Sequence, residues 1–494
     1  MPGTNQNIVK KLKTLTYHHV LKYNAMSRHK VTIIGAGAAG LAATVRLSAL
    51  NIEDVLILEA SEARVGGRVW SKRLREEGPT VEMGAQWIHG QEGNLVHDLA
   101  SKLGFLEKPE ETRGVEGHCE HEALSVMDGH PVSPEMIRTL TMAMSRVEES
   151  VETIPEDSWS QYPSMRDYVD QTADTVLASC DRLDPDVKRA YLHWWGKLQA
   201  CIDGAPDMED TAVYQNIVYR ECPGNQTVNI DKRMSYQALL ERYAERVISK
   251  VKMGQTVVKI SYSDEKVRLQ THDGAEYVSD ICIVTLPLGV LKKDHHTLFD
   301  PPLPDWKKTA IEKMGFGTVV KIFIQFDVEL SSLEGFVTEG FNFLRRDPSY
   351  TSWTDSVFGL YPDHAEDRVL VAWMSGPGAV TVEEMEEAEV MAGVRRLLEQ
   401  FIIPCIPLLP APVRCHVTSW GSSSLSRGSY SYLTPASPPD TPQVLARPLA
   451  GGRVLVAGEA THQTYFGTVH GALETGIREA ERAAKRLGSN TESD

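Results

Sequence analysis

The six residues Gly35-Ala36-Gly37-Ala38-Ala39-Gly40 constrain this chain more than any other feature. They stand between a β-rich apolar run at residues 30–34 and a helical pattern that continues to Leu50. A second strand, residues 55–58, follows and ends in Glu59. Strand, glycine turn, helix and strand in that order make a βαβ unit, with two parallel strands and the helix crossing over them. Gly35 allows the sharp turn. Gly37, with Ala39 beside it, lets the backbone approach a pyrophosphate, and Gly40 lets the helix pack closely on the strand. The helix N-terminus then presents N–H groups that have no partner inside the helix, which suits phosphate. Glu59 follows Gly35 by 24 residues, close to the spacing at which a carboxylate accepts from ribose hydroxyls. The expected ligand is a dinucleotide.

With 494 residues the chain exceeds one ordinary core, so at least two domains are expected. No apolar run reaches the roughly 18 residues of a membrane span. The formal charge of −16 argues against a nucleic-acid partner. Seven cysteines, odd in number, scattered and without a CxxC pair, fit a reduced intracellular protein with neither redox dithiol nor zinc site. His118, Cys119, Glu120 and His121 come nearest to a metal cluster, but beside Gly114 and Gly117 they read as a solvated loop, and no metal is expected. Residues 1–29 form a basic extension whose first acidic successor is Glu53; it lacks the arginine and serine richness of a transit peptide and the apolar core of a signal peptide. The expected location is cytoplasmic, with mitochondrial targeting left open. The end, Glu492-Ser493-Asp494, is not a peroxisomal address.

Residues 95–250 are mostly helical in pattern. Strands are predicted at 255–261, 266–271, 281–286, 319–326, 369–373 and 453–457. A long helix is predicted over 381–401, with the acidic run 383–389 as its solvated face. Residues 437–447, rich in proline, read as a surface loop, and 471–487 as a closing amphipathic helix.

Four further motifs decide which dinucleotide is meant. They are Arg64-Val65-Gly66-Gly67-Arg68; Glu82-Met83-Gly84-Ala85-Gln86-Trp87-Ile88-His89-Gly90; Thr285-Leu286-Pro287-Leu288-Gly289; and Ala457-Gly458-Glu459-Ala460-Thr461 with Thr468-Val469-His470-Gly471. Together with residues 427–432 (RGSYSY) they resemble the FAD-dependent amine oxidase superfamily, polyamine oxidase branch, from about residue 30 to residue 488. The resemblance implies an α/β fold in which a Rossmann-type FAD-binding domain (30–95, 232–295, 445–488) is interleaved with an α+β substrate-binding domain (96–231, 296–444), followed by a tail at 489–494. It implies FAD, a small polyamine substrate, O2 as acceptor, and a monomer. Arg68 would meet the pyrophosphate, Glu59 the ribose, and the backbone of Val257 the adenine. Glu459 would bond the ribitol or phosphate side, Gly84, Ala85, Gln86 and Trp87 would pass beside the isoalloxazine, and Thr468 and Val469 would stabilise its N1–O2 edge. Relatives of the monoamine oxidase type attach FAD through a cysteine near the RGSYSY position; serines stand there in this chain, so the FAD is expected to be non-covalent.

Amine oxidation moves a hydride from the carbon beside nitrogen, so the nitrogen must be neutral; near pH 7 that costs an alkylammonium about three pKa units, or roughly 4 kcal/mol. Lys321 matches the lysine the superfamily holds near flavin N5, and a lysine inside an apolar strand is costly without such a role. His89 matches the active-site histidine, and Tyr430 would form an aromatic wall. Trp373, Tyr432, Tyr465 and Phe466 are further aromatic candidates. His89, Gln199, Tyr430 and Thr468 would touch the substrate. Where animal relatives carry a glutamate, this chain has Gln199, so Asp203, Asp207, Glu209 or Asp210 is the expected source of the missing charge. The alternatives are another flavin amine oxidase, acting on a monoamine or amino acid, or a flavin-binding protein without turnover.

Overall fold

The computed structural model describes residues 27–107, 123–178, 180, 182–347 and 349–488. The segment His118 to His121 lies outside them.

The βαβ unit forms as expected. The strand Ser27–Ile34 runs parallel to Val55–Leu58 on one side and to Glu276–Val284 on the other, with Ile33 opposite both Ile57 and Ile283. These three isoleucines are fully buried, each contributing about 1.5–3 kcal/mol by leaving water. The first strand starts three residues earlier than predicted, because Ser27, Arg28 and His29 pair through their backbones with Tyr277, Val278 and Ser279. Backbone pairing leaves no hydropathy signal. The full sheet has eight strands in the order Phe299–Asp300, Val257–Tyr262, Val267–Thr271, Glu276–Val284, Ser27–Ile34, Val55–Leu58, Val251–Lys252, with Val454–Val456 paired to Glu276–Val284.

Two helices cover this sheet through a close contact between small residues. Ala38–Ala49 packs on Val469–Arg486, and a Cβ at Gly476 would lie 2.1 Å from the Ala39 carbonyl. Gly40 works as predicted: a Cβ there would lie 2.0 Å from the Gly35 carbonyl. Gly35 itself takes φ +103°, a conformation open to glycine, which turns the chain out of the strand.

A second sheet of seven strands runs Arg414–Val417, Val320–Gln325, Val369–Met374, Gly359–Pro362, Phe341–Leu344, Leu124–Met127, His130–Pro131. Leu124–Met127 corrects the helical reading of 95–250; its register is set by parallel pairing with Phe341–Leu344, more than 200 residues away in sequence. Helices Pro134–Val151 and Pro185–Asp203 belong to an aromatic-rich core containing Tyr191, Trp194 and Trp195. The hairpin Ser71–Arg73/Thr80–Glu82 joins the two halves: Val81 and Met83 pack with Phe323, Val369 and Val371 of the second sheet.

Two predicted elements need correction. Residues 381–401 are not one helix. Gly376–Val382 ends, Glu387–Leu397 begins anew, and a π-turn, Leu398–Ile402, follows. The break arises because the Glu383 carboxylate accepts from the N–H groups of Gly421 and Ser422, while Glu386 and Glu389 build a capping box for the new helix. Residues 437–447 contain the short helix Thr441–Ala446, whose end is held by the buried Lys307 donating to the carbonyls of Leu445 and Arg447.

Candidate active site

One cavity of about 980 Å3 brings the scattered motifs together. Gly35, Gly37, Ala39, Glu59, Arg68, Gly84, Ala85, Gln86, Trp87, His89, Gln199, Val257, Lys321, Tyr430, Glu459, Thr468 and Val469 all line it. Gly40 does not, since it faces the strand behind. Trp373 and Phe466 also line it, whereas Tyr432 and Tyr465 do not.

At one end the backbone makes a cradle for an anion. Gly37 caps the helix Ala38–Ala49 with φ −77°, and a Cβ built there meets no protein atom closer than the Gly67 Cα at 3.9 Å. The glycine therefore keeps space for a ligand rather than relieving a clash. Glu59 accepts from Ala36 N–H (2.6 Å) and Ser61 N–H (2.8 Å), which fixes its carboxylate at the tip of its strand. Arg64 and Arg68 supply positive charge. Arg68 donates to the Ser429 carbonyl and to Glu459, 2.8 Å away. Glu459, 5% exposed, also accepts from Ser431 and from Gly467 N–H, so it ties the arginine to the turn before the last helix. Thr468 caps that helix: its hydroxyl accepts from Gly471 N–H (3.0 Å) and donates to the Tyr465 carbonyl (2.7 Å). That leaves the hydroxyl no donor for a ligand, though one lone pair can still accept. A glycine clear of protein atoms, two arginines, a fixed carboxylate and two helix N-termini form a set of groups that fits FAD.

In the middle stands Lys321. Only 4% exposed, it donates to the Glu82 carbonyl (2.8 Å), the Gly84 carbonyl (2.9 Å) and Gln86 Oε1 (2.9 Å). These contacts use three donors, as many as an ammonium has. Its Nζ lies 4.4 Å from the centroid of Trp373, which stacks on Trp87 at 5.2 Å and 12°. Burial pushes the lysine down to about 7, against the pull of Glu82 and Asp363, and burial likewise pushes Glu82 up to about 7. His89 is half-buried, and its carbonyl accepts from Asn94, which also caps the helix Leu95–Leu103. Tyr430 donates its hydroxyl to the Cys201 carbonyl at 2.7 Å.

The other end is acidic. Gln199 donates its amide to Glu148 Oε1 at 2.8 Å, and the Trp195 indole donates to the same oxygen at 3.2 Å. Glu148, Glu152, Asp203 and Glu221 all line the cavity. Of the predicted charge sources, Asp203 is present there. Asp207 is instead paired with Arg166 (2.9 Å), and Glu209 and Asp210 are exposed outside it. Glu148 escaped the sequence reading, although a signal existed: it lies four residues after Met144 and three before Val151, an acid on the buried stripe of its helix. Among the described residues one group has the spacing of metal ligands, His295, His296 and Glu312, and none of the three lines the cavity.

A family profile described as flavin containing amine oxidoreductase matches residues 38–484. The human peroxisomal N(1)-acetyl-spermine/spermidine oxidase is 30% identical over 490 residues, covering 92% of this chain and 94% of that protein. Polyamine oxidase 1 of Oryza sativa subsp. japonica is also 30% identical, covering 93% and 98%. Among solved structures, a redesigned putrescine oxidase shares the fold with a TM-score of 0.66 at 17% identity, covering 93% of this chain and all of the other. Among the described residues no helix is long and apolar enough to cross a membrane.

Proposed function

This chain belongs to the flavin-containing amine oxidoreductase family, in its polyamine oxidase branch, and on that premise we propose that it oxidises a secondary amine of spermine or of an N1-acetylated polyamine. In this reading dioxygen is the acceptor, and the products are an aminoaldehyde, a shorter amine and hydrogen peroxide. The observation that carries the substrate class is the placement of charge along one cavity: Arg64 and Arg68 stand with Glu59 and Glu459 at the dinucleotide end, and Glu148, Glu152 and Glu221 add carboxylates on the substrate side. A monoamine has no second cation for that far end. A polyamine does, and two or more ammonium groups set against carboxylates in a partly desolvated slot gain affinity and a fixed register.

FAD supplies the acceptor for the hydride that leaves the carbon next to nitrogen. Gly37 and the helix behind it, with Arg64 and Arg68, hold the pyrophosphate, Glu59 the ribose, and the Val257 backbone the adenine. The N–H groups of Thr468 and Val469 stabilise negative charge at the start of their helix. The serines at 423, 424, 426, 429 and 431 line the cavity where a cysteine would be needed for covalent attachment, which supports non-covalent FAD. On the substrate side Glu148, held by Gln199 and Trp195, takes a distal ammonium. Tyr430, Trp373 and Trp87 form apolar walls that exclude water and so favour the neutral amine. Lys321 fixes the Glu82–Gln86 strap along that wall, and His89 flanks the reacting nitrogen.

A peroxide-release panel with spermine, spermidine, N1-acetylspermine, N1-acetylspermidine, tyramine and L-amino acids tests the reading. Activity on spermine or its acetylated form, with little on tyramine, is expected. A preference for tyramine or an amino acid would overturn the polyamine assignment and leave an amine oxidase of another specificity.

A further inference from the structure

The carboxylates at the acidic end are not alike. Glu148 serves two donors and Glu152 stands exposed at the end of its helix, so both are suited to act as counter-ions. Asp203 is placed differently. It is the last residue of the helix Pro185–Asp203, four positions beyond Gln199, so both side chains leave the same face and both line the cavity. The next residue presses it against the aromatic wall: Gly204 is left-handed at φ +77°, and a Cβ there would come within 2.4 Å of the Tyr430 ring. The side chain of Gln215 hydrogen-bonds the Asp203 carboxyl. Gln215 Oε1 accepts from Leu433 N–H at 2.8 Å, so the NH2 is the group turned towards Asp203.

The titratable groups that sense Asp203 are Tyr219, just beyond the helix Gln215–Val218, and Tyr430 and Tyr432 on their strand. Burial pushes each of the three tyrosines upward, so they stay neutral near pH 7, and no cation stands among these neighbours. Burial accordingly holds the Asp203 carboxyl up to about 7, where a carboxylate makes a far better proton acceptor than at its ordinary value.

We propose that Asp203 is the catalytic base that takes the proton from the substrate ammonium, a task the Gln199 amide cannot perform. The proposal rests on the polyamine oxidase reading above. The N–H proton passes to an Asp203 oxygen, and nitrogen regains its lone pair. The C–H bond beside it breaks with both electrons leaving as hydride to bound flavin, while the lone pair forms the C=N bond. Asp203 then returns the proton to solvent through the open cavity.

The test is anaerobic mixing of the FAD-loaded enzyme with saturating spermine or N1-acetylspermine, following flavin absorbance from about pH 5.5 to 9.5. In the wild type the reduction rate should fall about tenfold per pH unit on an acid limb that starts near 7. Asp203→Asn should slow reduction more than roughly tenfold at pH 7.5 and abolish that limb, leaving a rate that climbs with pH as the amine itself deprotonates. Asp203→Glu should restore part of the rate with the limb displaced. Gln215→Glu keeps the acceptor for Leu433 but sets a second carboxylate beside Asp203, which should move the limb to higher pH. If Asp203→Asn fails to fold or loses its flavin, the last two variants decide. A bleached wild type whose acid limb is unmoved in these variants, or vanishes only in His89→Ala, overturns the proposal alone. A wild type bleached by no amine overturns the oxidase reading and the proposal with it.

Discussion

Gln199 donates its side-chain amide to the Glu148 carboxylate across 2.8 Å, joining the helices Pro134–Val151 and Pro185–Asp203 at the rim of the cavity. The glutamine thus orients a charge carried by the neighbouring helix. Removing that charge should weaken binding rather than chemistry. Glu148→Gln is expected to raise KM for spermine at least about tenfold, equivalent to roughly 1.4 kcal/mol, with the limiting rate of flavin reduction changed less than about threefold. Gln199→Glu should not mimic a gain of charge, because two carboxylates at hydrogen-bond distance cannot both ionise cheaply. Steady-state kinetics on both variants would check this, and an unchanged KM in Glu148→Gln would remove Glu148 from substrate recognition.

Two glycines of the same fingerprint should respond oppositely. At Gly37 a methyl group meets nothing closer than the Gly67 Cα at 3.9 Å but enters the cavity, so Gly37→Ala should fold normally and lose FAD affinity. At Gly40 the methyl would lie 2.0 Å from the Gly35 carbonyl, so Gly40→Ala should destabilise the fold itself by more than about 2 kcal/mol. Flavin absorbance per protein together with thermal unfolding separates the two. Equal Tm losses would contradict the assignment of Gly37 to the ligand.

The βαβ unit was readable because turn, helix packing and phosphate approach are all local requirements met within Gly35 to Glu59. The other motif residues that line the cavity were read from their resemblance to a family, which local requirements alone would not have supplied. Other features depend on distant partners. Trp373 reaches the centre of the site because it pairs with Lys321 across two strands and stacks on Trp87 from a loop. The break after Val382 depends on amides at Gly421 and Ser422, and the strand Leu124–Met127 on Phe341–Leu344. Glu148 shows a middle case: its place on a buried stripe is visible in the sequence, but the reason for tolerating it requires Gln199 and Trp195.

Lys321 holds the strap at Glu82, Gly84 and Gln86 and faces Trp373. Lys321→Met keeps length and apolar bulk while deleting all three donors. Flavin reduction or reoxidation should slow more than roughly tenfold, about 1.4 kcal/mol, with FAD still bound. Stopped-flow traces under nitrogen and then oxygen locate the affected half-reaction, and unchanged traces in both would take Lys321 out of the mechanism.

Asp203 and Lys321 also set how stability varies with pH, in opposite directions. The folded Asp203 carboxyl lies near 7 and its unfolded counterpart near 4, so the folded protein holds the proton more tightly. Its contribution is complete below about 4 and is lost as pH rises through 7. The folded Lys321 ammonium lies near 7 and its unfolded counterpart near 10.5, so its contribution is complete above about 10.5 and is lost as pH falls through 7. Asp203 is therefore least favourable at and above about 7 and Lys321 at and below it, so their combined cost peaks near neutrality, where the proposed chemistry needs an ionised carboxylate. Asp203→Asn should raise Tm relative to wild type at pH 7.5 by about 1–3 °C, the gain shrinking towards pH 4. Lys321→Met should show its full relative gain at and below about pH 7 and lose it towards pH 10. Differential scanning calorimetry across that range checks both signs. A gain for Asp203→Asn that grew towards acid would mean the carboxyl is stabilised, not strained, by its surroundings.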